Sequence, residues 1–356
     1  MAPLSSTIVI ATRNRPGPLR DCLLSIARQT RLPSEVIIVD ASDDNATEEL
    51  AGSLSAQSPV PLLYRRSAVA SSAVQRNRGA EASQGDLIFF LDDDVVLEPD
   101  FIAEIVQVFD HDTEGAVGGV SGTIHDTVPA PPSRLNLFLL RLLGGRGEGN
   151  YAGQLVGPAI SFFPEDRLNC VQGAEWLNAG GVAYRREIFL SERFWESFSG
   201  YSFLEDVHLS ARVGRKYRLL NTTRARLVHR ALGANSHTDW AAFGESMILN
   251  RHAVTMHVLE RRRLRDYARL LGYELLYCTA GQIKNPTRPW RANLQLLRGK
   301  LRGVGKLLMG KSPHRPYFGQ APANAGGIQA LKRPFQVQKA SAFEAAKTPE
   351  RAEGDQ

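Results

Sequence analysis

Three short apolar runs, separated by helical patterns, constrain this chain most strongly. They are TIVIA at residues 7–11, EVIIVD at residues 35–40 and DLIFFL at residues 86–91. Apolar residues recur with helical spacing from Pro18 onward, and residues 75–84 predict a helix just before the third run. Apolar strands that alternate with helices are typical of a mostly parallel sheet covered on both faces. The pattern therefore predicts an α/β fold with a Rossmann-like sheet.

The composition fits a globular chain with a disordered tail. Of the 356 residues, 43% are hydrophobic and 22% are charged, near the globular averages of about 45–50% and 25%. We predict a domain over residues 1–230, built of halves 1–120 and 121–230, and a helical, basic extension over residues 231–311. Residues 312–356 are rich in Pro, Gly, Ala and Gln without periodicity, which predicts disorder.

Cysteine usage and hydropathy predict a compartment for the chain. Cys22, Cys170 and Cys278 form no CxxC pair, which disfavours a disulfide framework or a zinc site. The first residues lack the basic region of a secretory signal, and no window reaches the 18 or more apolar residues of a membrane span. We expect a cytoplasmic protein, peripheral on the inner face of the membrane if its basic segment binds lipid.

The acidic triplet Asp92-Asp93-Asp94 directly follows the most apolar predicted strand. Ligands of open parallel sheets bind at the carboxyl ends of the strands. Adjacent carboxylates repel one another unless a cation or a donor neutralises them, and oxygen ligands favour Mg²⁺ or Mn²⁺. The triplet therefore predicts a divalent metal site, with a solvated acidic turn as the alternative.

Polar residues also follow the other two strands. The first runs into Thr12-Arg13-Asn14-Arg15, and the second ends at Asp40 with Asp43 and Asp44 beyond it. Carboxylates can bind base and ribose groups, whereas arginine suits phosphate, so this edge predicts a nucleotide site. The absence of GxGxxG and GxxxxGK[ST] after the strands disfavours a dinucleotide cofactor or a P-loop.

An ordered set of motifs resembles the inverting family 2 glycosyltransferases of GT-A fold. The set comprises TIVIATRNRP, EVIIVDASDD, QRNRGAEASQGDLIFFLDDDVVLEPDF, LNAGGVAYRREIF and SGYSFLEDVHLSARVGRKYRL, and it extends to about His229. The resemblance implies a nucleotide-sugar-binding half at 1–120, an acceptor half at 121–230 and a metal, Mn²⁺ or Mg²⁺, on a DxD motif. It implies that Asp92 and Asp94 bind the metal, and that His229 lies near the metal or the diphosphate and is a third ligand, with a purely structural histidine as the alternative. The implied nucleotide-sugar contacts are Thr12, Arg13, Asn14, Asp40, Asp43, Arg76, Asp92 and Asp93.

The same resemblance implies the catalytic and acceptor residues. Asp206 is the expected general base, which takes the proton of the acceptor hydroxyl. The alternative, an acid at a helix start that serves only the helix dipole, fits its neighbour Glu205 better than Asp206. A second acid that family members often carry two residues after the base is replaced here by His208. The expected acceptor side comprises Trp176, Gly180, Gly181 and Glu205, where Trp176 either stacks on the acceptor or belongs to the core.

Together these patterns predict a metal-dependent inverting glycosyltransferase. The expected partners are a nucleoside-diphosphate-sugar and a glycan or lipid-linked acceptor, as in polysaccharide, glycolipid or other glycoconjugate synthesis, with no nucleic acid. One alternative is a non-catalytic protein that binds a nucleotide sugar or a membrane surface. A second is a sugar nucleotidyltransferase, but ATRNRPGPLR lacks the glycine- and arginine-rich loop and lysine of that class.

The net charge of +6 is concentrated late in the chain. Between Arg261 and Lys311 there are thirteen Lys and Arg but two acidic residues, Asp266 and Glu274. Within this segment, Leu294, Leu297, Leu301, Val304 and Leu308 share one helical stripe, and Arg291, Gln295, Arg298, Arg302 and Lys306 lie opposite. Such a helix can bind an anionic membrane surface through residues 261–311 or pack its stripe on the catalytic domain. Gly299, Gly303 and Gly305 disfavour a stable isolated helix.

Overall fold

A computed structural model gives the fold. It describes residues 3–125, 138–139, 141–143, 152–164, 170–198, 202–230, 239–284 and 290–314. Most of the glycine-rich stretch 144–157, and the predicted tail beyond residue 314, lie outside the described residues. The last described residues pack on the protein, because His314 is 5% exposed and contacts Asn250 at 2.8 Å.

The centre of the fold is a mixed, mostly parallel sheet. Its strands are β1 (Ser6–Thr12), β2 (Glu35–Asp40), β3 (Leu62–Arg66), β4 (Leu87–Asp92), β5 (Val95–Leu97), β6 (Val117–Ile124), β9 (Val171–Gly173), β10 (Gly181–Arg185) and β11 (Arg218–His229). In the described part of the chain the strand order is β3-β2-β1-β4-β10-β6-β11-β5, with β9 paired to β11. The first four strands in this order are parallel, whereas β10 runs antiparallel to β4 and β6. A separate hairpin pairs β7 (Leu155–Val156) with β8 (Ile160–Ser161).

Helices cover both faces of the sheet, as the apolar strands predicted. The helices of this domain are α1 (Pro16–Ile26), α2 (Ala46–Ser55), α3 (Ser72–Ala82), α4 (Phe101–Asp110), the 3₁₀ helix Arg186–Leu190 and α5 (Glu205–Val213). Alternate residues of β1 point to opposite faces: Ile8 and Ile10 pack in the core beneath α1 and α4, and Val9 packs in the core beneath α3 and α5. All three are fully buried. The strands are apolar throughout because neither face meets water.

Three further helices complete the described chain. They are α6 (Trp240–Ala253), which continues into the π-helical turn Val254–Val258, then α7 (Leu264–Lys284) and α8 (Trp290–Leu308). Ala253 and Val254 pack in one cluster with Leu155, Trp176 and Val207. The helices after residue 238 therefore share a core with the preceding domain. None of the helices described is long and apolar enough to cross a membrane.

A buried ion cluster fastens these helices to one another. Glu274 of α7 accepts hydrogen bonds from Arg251 of α6 at 2.7 Å and from Lys300 of α8. The side chains of all three residues are at most 6% exposed. Arg251 also donates to the carbonyl oxygens of Pro158 and Ala159, at 3.1 and 2.7 Å. The cluster therefore links all three helices to the β7–β8 hairpin.

Candidate active site

Strand pairing brings together the three residues predicted as metal ligands. Asp92 ends β4 and Asp94 follows it, while His229 ends β11, where the antiparallel pairing with β5 sets it opposite Val95. His229 Nε2 lies 3.2 Å from Asp94 Oδ1 and 3.9 Å from Asp92 Oδ2. One ligand atom from each residue lies within 4.8 Å of the others. Asp92 and His229 are 34% and 29% exposed, so the cluster opens to solvent.

Arg15 supplies positive charge to the other side of the triplet. Its guanidinium donates to Asp93 Oδ1 at 2.8 Å and to Asp94 Oδ2 at 2.7 Å. Burial alone would raise the pKa of Asp94, but the hydrogen bonds from His229 and Arg15 outweigh it, and that pKa is lowered. The sequence analysis assigned the arginines of this strand end to phosphate and did not predict that Arg15 pairs with the acidic triplet. The sequence could have indicated this pairing, because three adjacent carboxylates repel one another unless a nearby cation neutralises them.

Asp93 points into the protein and is 5% exposed. It accepts a hydrogen bond from Thr12 Oγ1 at 2.7 Å in addition to that from Arg15. Burial raises the pKa of Asp93 to about 7, against the opposing effects of Arg15 and Thr12. Two predicted nucleotide-sugar contacts, Thr12 and Asp93, are thus hydrogen-bonded to each other beneath the strand ends.

Arg76 of α3 joins Asp92, at the end of β4, to α5. Its Nη2 donates to Asp92 Oδ1 at 2.7 Å, and its Nη1 is ion-paired with Glu205. Glu205 also accepts a hydrogen bond from Ser72 Oγ at 2.8 Å. Arg76 and Glu205 are 4% and 6% exposed. The structure thus places Arg76, predicted to contact the nucleotide sugar, between two carboxylates. It also gives Glu205 a buried ionic partner in addition to the helix dipole.

Asp206 lies in the first turn of α5, beside this ion pair. Its carboxylate accepts hydrogen bonds from the backbone N–H groups of Val207, at 2.7 Å, and Ala179. Burial raises its pKa, and the charge of Asp92 adds to that rise. The turn before the helix holds Leu204 at φ 67°. Such a conformation is costly for a branched residue and is held by the burial of Leu204 in the core.

The predicted nucleoside contacts divide into a buried and an exposed group. Asp40 is fully buried, and its oxygens accept from Ser42 N at 2.9 Å and from Tyr64 at 2.9 Å. Asp43 is exposed and accepts from Asn14 Nδ2 at 2.7 Å and from Arg13 at 3.3 Å. The hydrogen bond from Asn14, then the charge of Arg13, lowers the pKa of Asp43. The exposed group forms a polar rim at the ends of β1 and β2.

The predicted acceptor residues also occupy different environments. Trp176 is 4% exposed, and its Nε1 donates to the carbonyl of Phe162 at 2.9 Å. This burial agrees with the core alternative for Trp176. Gly180 faces Asp92, since a Cβ there would lie 2.9 Å from Asp92 Oδ2. Gly181 faces the core instead, where a Cβ would collide with Leu227.

Comparison with known proteins finds sequence similarity to glycosyltransferases. The family profile described as Glycosyl transferase family 2 matches residues 7–165. An uncharacterized glycosyltransferase of Haemophilus influenzae is 34% identical over 104 residues, which cover 29% of this chain and 34% of the relative. The glucosyl-dolichyl phosphate glucuronosyltransferase of Haloferax volcanii is 22% identical over 231 residues, covering 62% and 66% of the two chains. The matched stretch spans only 34–37% of the length of the first three curated relatives.

Similarity to solved structures concerns the fold. The mannosyltransferase PcManGT from Pyrobaculum calidifontis, solved with GDP-Man and Mn²⁺, superposes with a TM-score of 0.52 at 13% identity. The superposition covers 85% of this chain and 87% of that one. The predicted GT-A fold is thereby confirmed. Asp206 and His229 lie beyond the residues matched by the family profile, and their placement comes from the tertiary structure.

Proposed function

We propose that this chain, which belongs to glycosyl transferase family 2 through residues 7–165, is a metal-dependent inverting glycosyltransferase. It moves a sugar from a nucleoside-diphosphate-sugar to an acceptor hydroxyl. The observation that carries the proposal is the cluster of Asp92, Asp94 and His229, whose ligand atoms lie within 4.8 Å of one another at the carboxyl end of β4. This edge of the sheet is where ligands of open α/β sheets bind.

The donor set fits a divalent cation. Asp92 offers Oδ2 because Arg76 occupies its Oδ1, and Asp94 offers Oδ1 because Arg15 occupies its Oδ2. His229 adds an imidazole nitrogen. Two carboxylates suit Mn²⁺ or Mg²⁺, and the nitrogen ligand favours Mn²⁺, because Mg²⁺ sites are built of oxygen. A bound cation there acts as a Lewis acid that stabilises charge on the departing diphosphate.

Asp206 is the proposed general base. An acceptor hydroxyl is a weak nucleophile until a carboxylate within hydrogen-bond reach takes its proton. Burial, which raises the pKa of Asp206, makes its carboxylate a stronger proton acceptor than an exposed aspartate. Attack of the hydroxyl on the anomeric carbon, with loss of the nucleoside diphosphate from the opposite face, inverts that carbon in one displacement. Gly180 leaves room for a substrate group beside Asp92.

The nucleoside is proposed to lie across the ends of β1 and β2. Arg13, Asn14 and Asp43 form an exposed polar rim there. Thr12, Asp40 and Asp93 support that rim from beneath through buried hydrogen bonds. Arg76 acts by holding Asp92 in place rather than by binding phosphate.

The acceptor is proposed to be a glycan or a lipid-linked sugar. The relative from Haloferax volcanii is named for a glucosyl-dolichyl phosphate, which is a lipid-linked substrate. We further propose that residues 261–311 bind an anionic membrane surface, so that the protein works as a peripheral protein on the cytoplasmic side of a membrane.

Release of nucleoside diphosphate tests the function directly. Purified full-length protein is incubated with UDP-, GDP- and TDP-sugars, with Mn²⁺, with Mg²⁺ or with a chelator, and free nucleoside diphosphate is measured. We expect release from one donor class, stimulated by Mn²⁺ and abolished by the chelator. Donor binding without release would favour a non-catalytic binding protein. Pyrophosphate formed from a sugar 1-phosphate and a nucleoside triphosphate would favour a nucleotidyltransferase.

A further inference from the structure

Helix α8 packs on the protein through its smallest residues. Its buried residues are Ala292, Leu296, Gly299, Lys300 and Gly303. A side chain at Gly299 would collide with the carbonyl of Ala241, and one at Gly303 would collide with Ile248, both on α6. The glycines that disfavour an isolated helix therefore allow α6 and α8 to approach closely. This contact fixes which face of α8 is turned away from the protein.

The outward face of α8 carries a row of leucines. Leu294, Leu297, Leu301 and Leu308 are 42%, 38%, 62% and 84% exposed. Trp290 at the start of the helix is 67% exposed, and Met309 just past its end is 61% exposed. A contiguous apolar row of this kind on a protein surface commonly marks an interaction site. The four leucines of the stripe predicted from the sequence are thus exposed, whereas its fifth member, Val304, packs against the cluster that contains Ile248 and Leu249.

Basic residues lie beside the exposed leucines. Arg291, Arg298, Arg302 and Lys311 are all exposed. The sequence contains no Asp or Glu from residue 275 to residue 343, so no acidic residue of α8 offsets this charge. The outward face is therefore both apolar and positively charged.

Helix α7 repeats the same combination. Leu264, Leu271 and Leu275 are 86%, 52% and 65% exposed, and Arg262, Arg263 and Arg265 are exposed near the start of the helix. The two helices are tied together by the buried pair of Glu274 and Lys300. The combination of exposed leucine and arginine is thus a property of both helices.

We infer that the outward face of α8 docks on a membrane leaflet that contains anionic lipid. Exposed leucines enter the boundary between headgroups and acyl chains, while the arginines meet lipid phosphates. A second copy of the chain fits this face less well, since two such faces would bring like charges together. The inference rests on the proposed function for its purpose, which is to bring a lipid-linked acceptor to the site.

Paired substitutions on the apolar row test the inference. Full-length protein is co-sedimented with phosphatidylcholine vesicles that do or do not contain phosphatidylglycerol. We expect wild-type protein to bind the anionic vesicles, and L301E/L308E to lose that binding, because both leucines are exposed and would carry charge into the interface. Leu190→Glu is the matched control: Leu190 is 85% exposed on the helix Arg186–Leu190 and should leave binding unchanged.

A second variant tests the charges. R298Q/R302Q should bind anionic vesicles about 30-fold more weakly than wild type at low salt, the loss expected for two charges at an anionic surface. Wild-type binding should also weaken as salt is raised, because salt screens this attraction. The inference is overturned if wild-type protein binds both vesicle types equally. It is also overturned if L301E/L308E or R298Q/R302Q binds anionic vesicles as tightly as wild type does. A third result would also overturn it: wild-type protein does not bind vesicles but forms a dimer, and L301E/L308E is monomeric. The face would then bind a second copy of the chain.

The result is separable from the proposed function. L301E/L308E should release nucleoside diphosphate from a soluble donor at the wild-type rate, because neither leucine belongs to the metal cluster. Vesicle binding without any donor hydrolysis would leave the docking surface standing and refute the enzymatic proposal. Hydrolysis without vesicle binding would refute the docking surface alone.

Discussion

Arg76 and Glu205 are 129 residues apart in the sequence and form a buried ion pair. The other arm of the same guanidinium holds Asp92 at 2.7 Å. A single side chain of α3 therefore connects a proposed metal ligand on β4 with the residue preceding the proposed base on α5. We therefore expect the relative position of Asp92 and Asp206 to depend on this connection.

Removal of the Arg76 cation should destabilise the fold. Arg76→Gln leaves Glu205 buried without its ionic partner, which typically lowers the free energy of unfolding by about 3–5 kcal/mol. Urea unfolding measures the change. Arg193→Gln breaks an ion pair with Glu81 whose side chains are both more than half exposed, and it should cost at most about 1 kcal/mol. Equal, small losses in both variants would show that the buried pair does not stabilise the fold.

Asp94→Asn should abolish the Mn²⁺ dependence of donor binding. The substitution keeps the size of the side chain but removes the charge of one of the three proposed ligands. Calorimetric titration of the donor, with and without Mn²⁺, measures the effect. Asp44→Asn is a suitable control, because Asp44 is exposed in the loop after β2 and lies outside the cluster. An unchanged Mn²⁺ response in Asp94→Asn would remove Asp94 from the site.

Asp206→Asn should lower transfer while sparing donor binding. Loss of a general base typically costs about 10²–10⁴ in rate, and an amide cannot take the acceptor proton. In wild-type protein, transfer should fall as the pH drops through the raised pKa of Asp206, because protonation removes the base. Single-turnover rates across pH measure both effects. If transfer survives in Asp206→Asn within a few-fold and is lost in Glu205→Gln, Glu205 is the base.

Lys300→Met should loosen the attachment of α8. The substitution removes one of the two cations that hold the buried Glu274 and leaves Arg251 as its partner. Loss of a hydrogen bond to a charged group typically costs about 1.5–3 kcal/mol. Chemical denaturation followed by tryptophan fluorescence measures the loss. Lys306→Met, on the same helix, breaks a half-exposed pair with Glu245 and should cost about 1 kcal/mol or less. Similar losses for the two lysines would contradict the special role of the buried cluster.

His314 should make the fold sensitive to acid. Burial, followed by repulsion from His252 and His257, lowers the pKa of His314 to about 4. The unfolded chain, with a histidine pKa near 6.5, then binds the proton first, so stability falls as the pH drops from about 6.5 to 4, by up to about 3 kcal/mol. His314→Gln should flatten this dependence in urea titrations, whereas exposed His111→Gln should not. If the free energy of unfolding of wild type and of His314→Gln changed with pH in parallel, His314 would not be the source of the acid sensitivity.

Local sequence patterns determined the sheet and the placement of its acidic residues. Runs such as EVIIVD and DLIFFL are apolar on both faces of the strand and show no alternation with polar residues. Such strands require a sheet that is covered by helices on both sides. Because parallel strands end at one edge, the positions of Asp40 and Asp92 followed from the strand assignments. The helix that begins at Glu205 and the amphipathic pattern of α8 could also be predicted from the sequence, since both depend on residue spacing within a single element.

Tertiary structure alone decided which partners these residues meet. The pairing of β11 with β5 brings His229 to Asp94, and the approach of α3 to α5 brings Arg76 to Glu205. Likewise, the close contact at Gly299 turned the four leucines of the α8 stripe outward, whereas Val304 of the same stripe packs against a buried cluster. Periodicity reports which face of an element is apolar, but not what that face will touch. Contacts between residues more than a hundred positions apart arise only from the packing of whole elements.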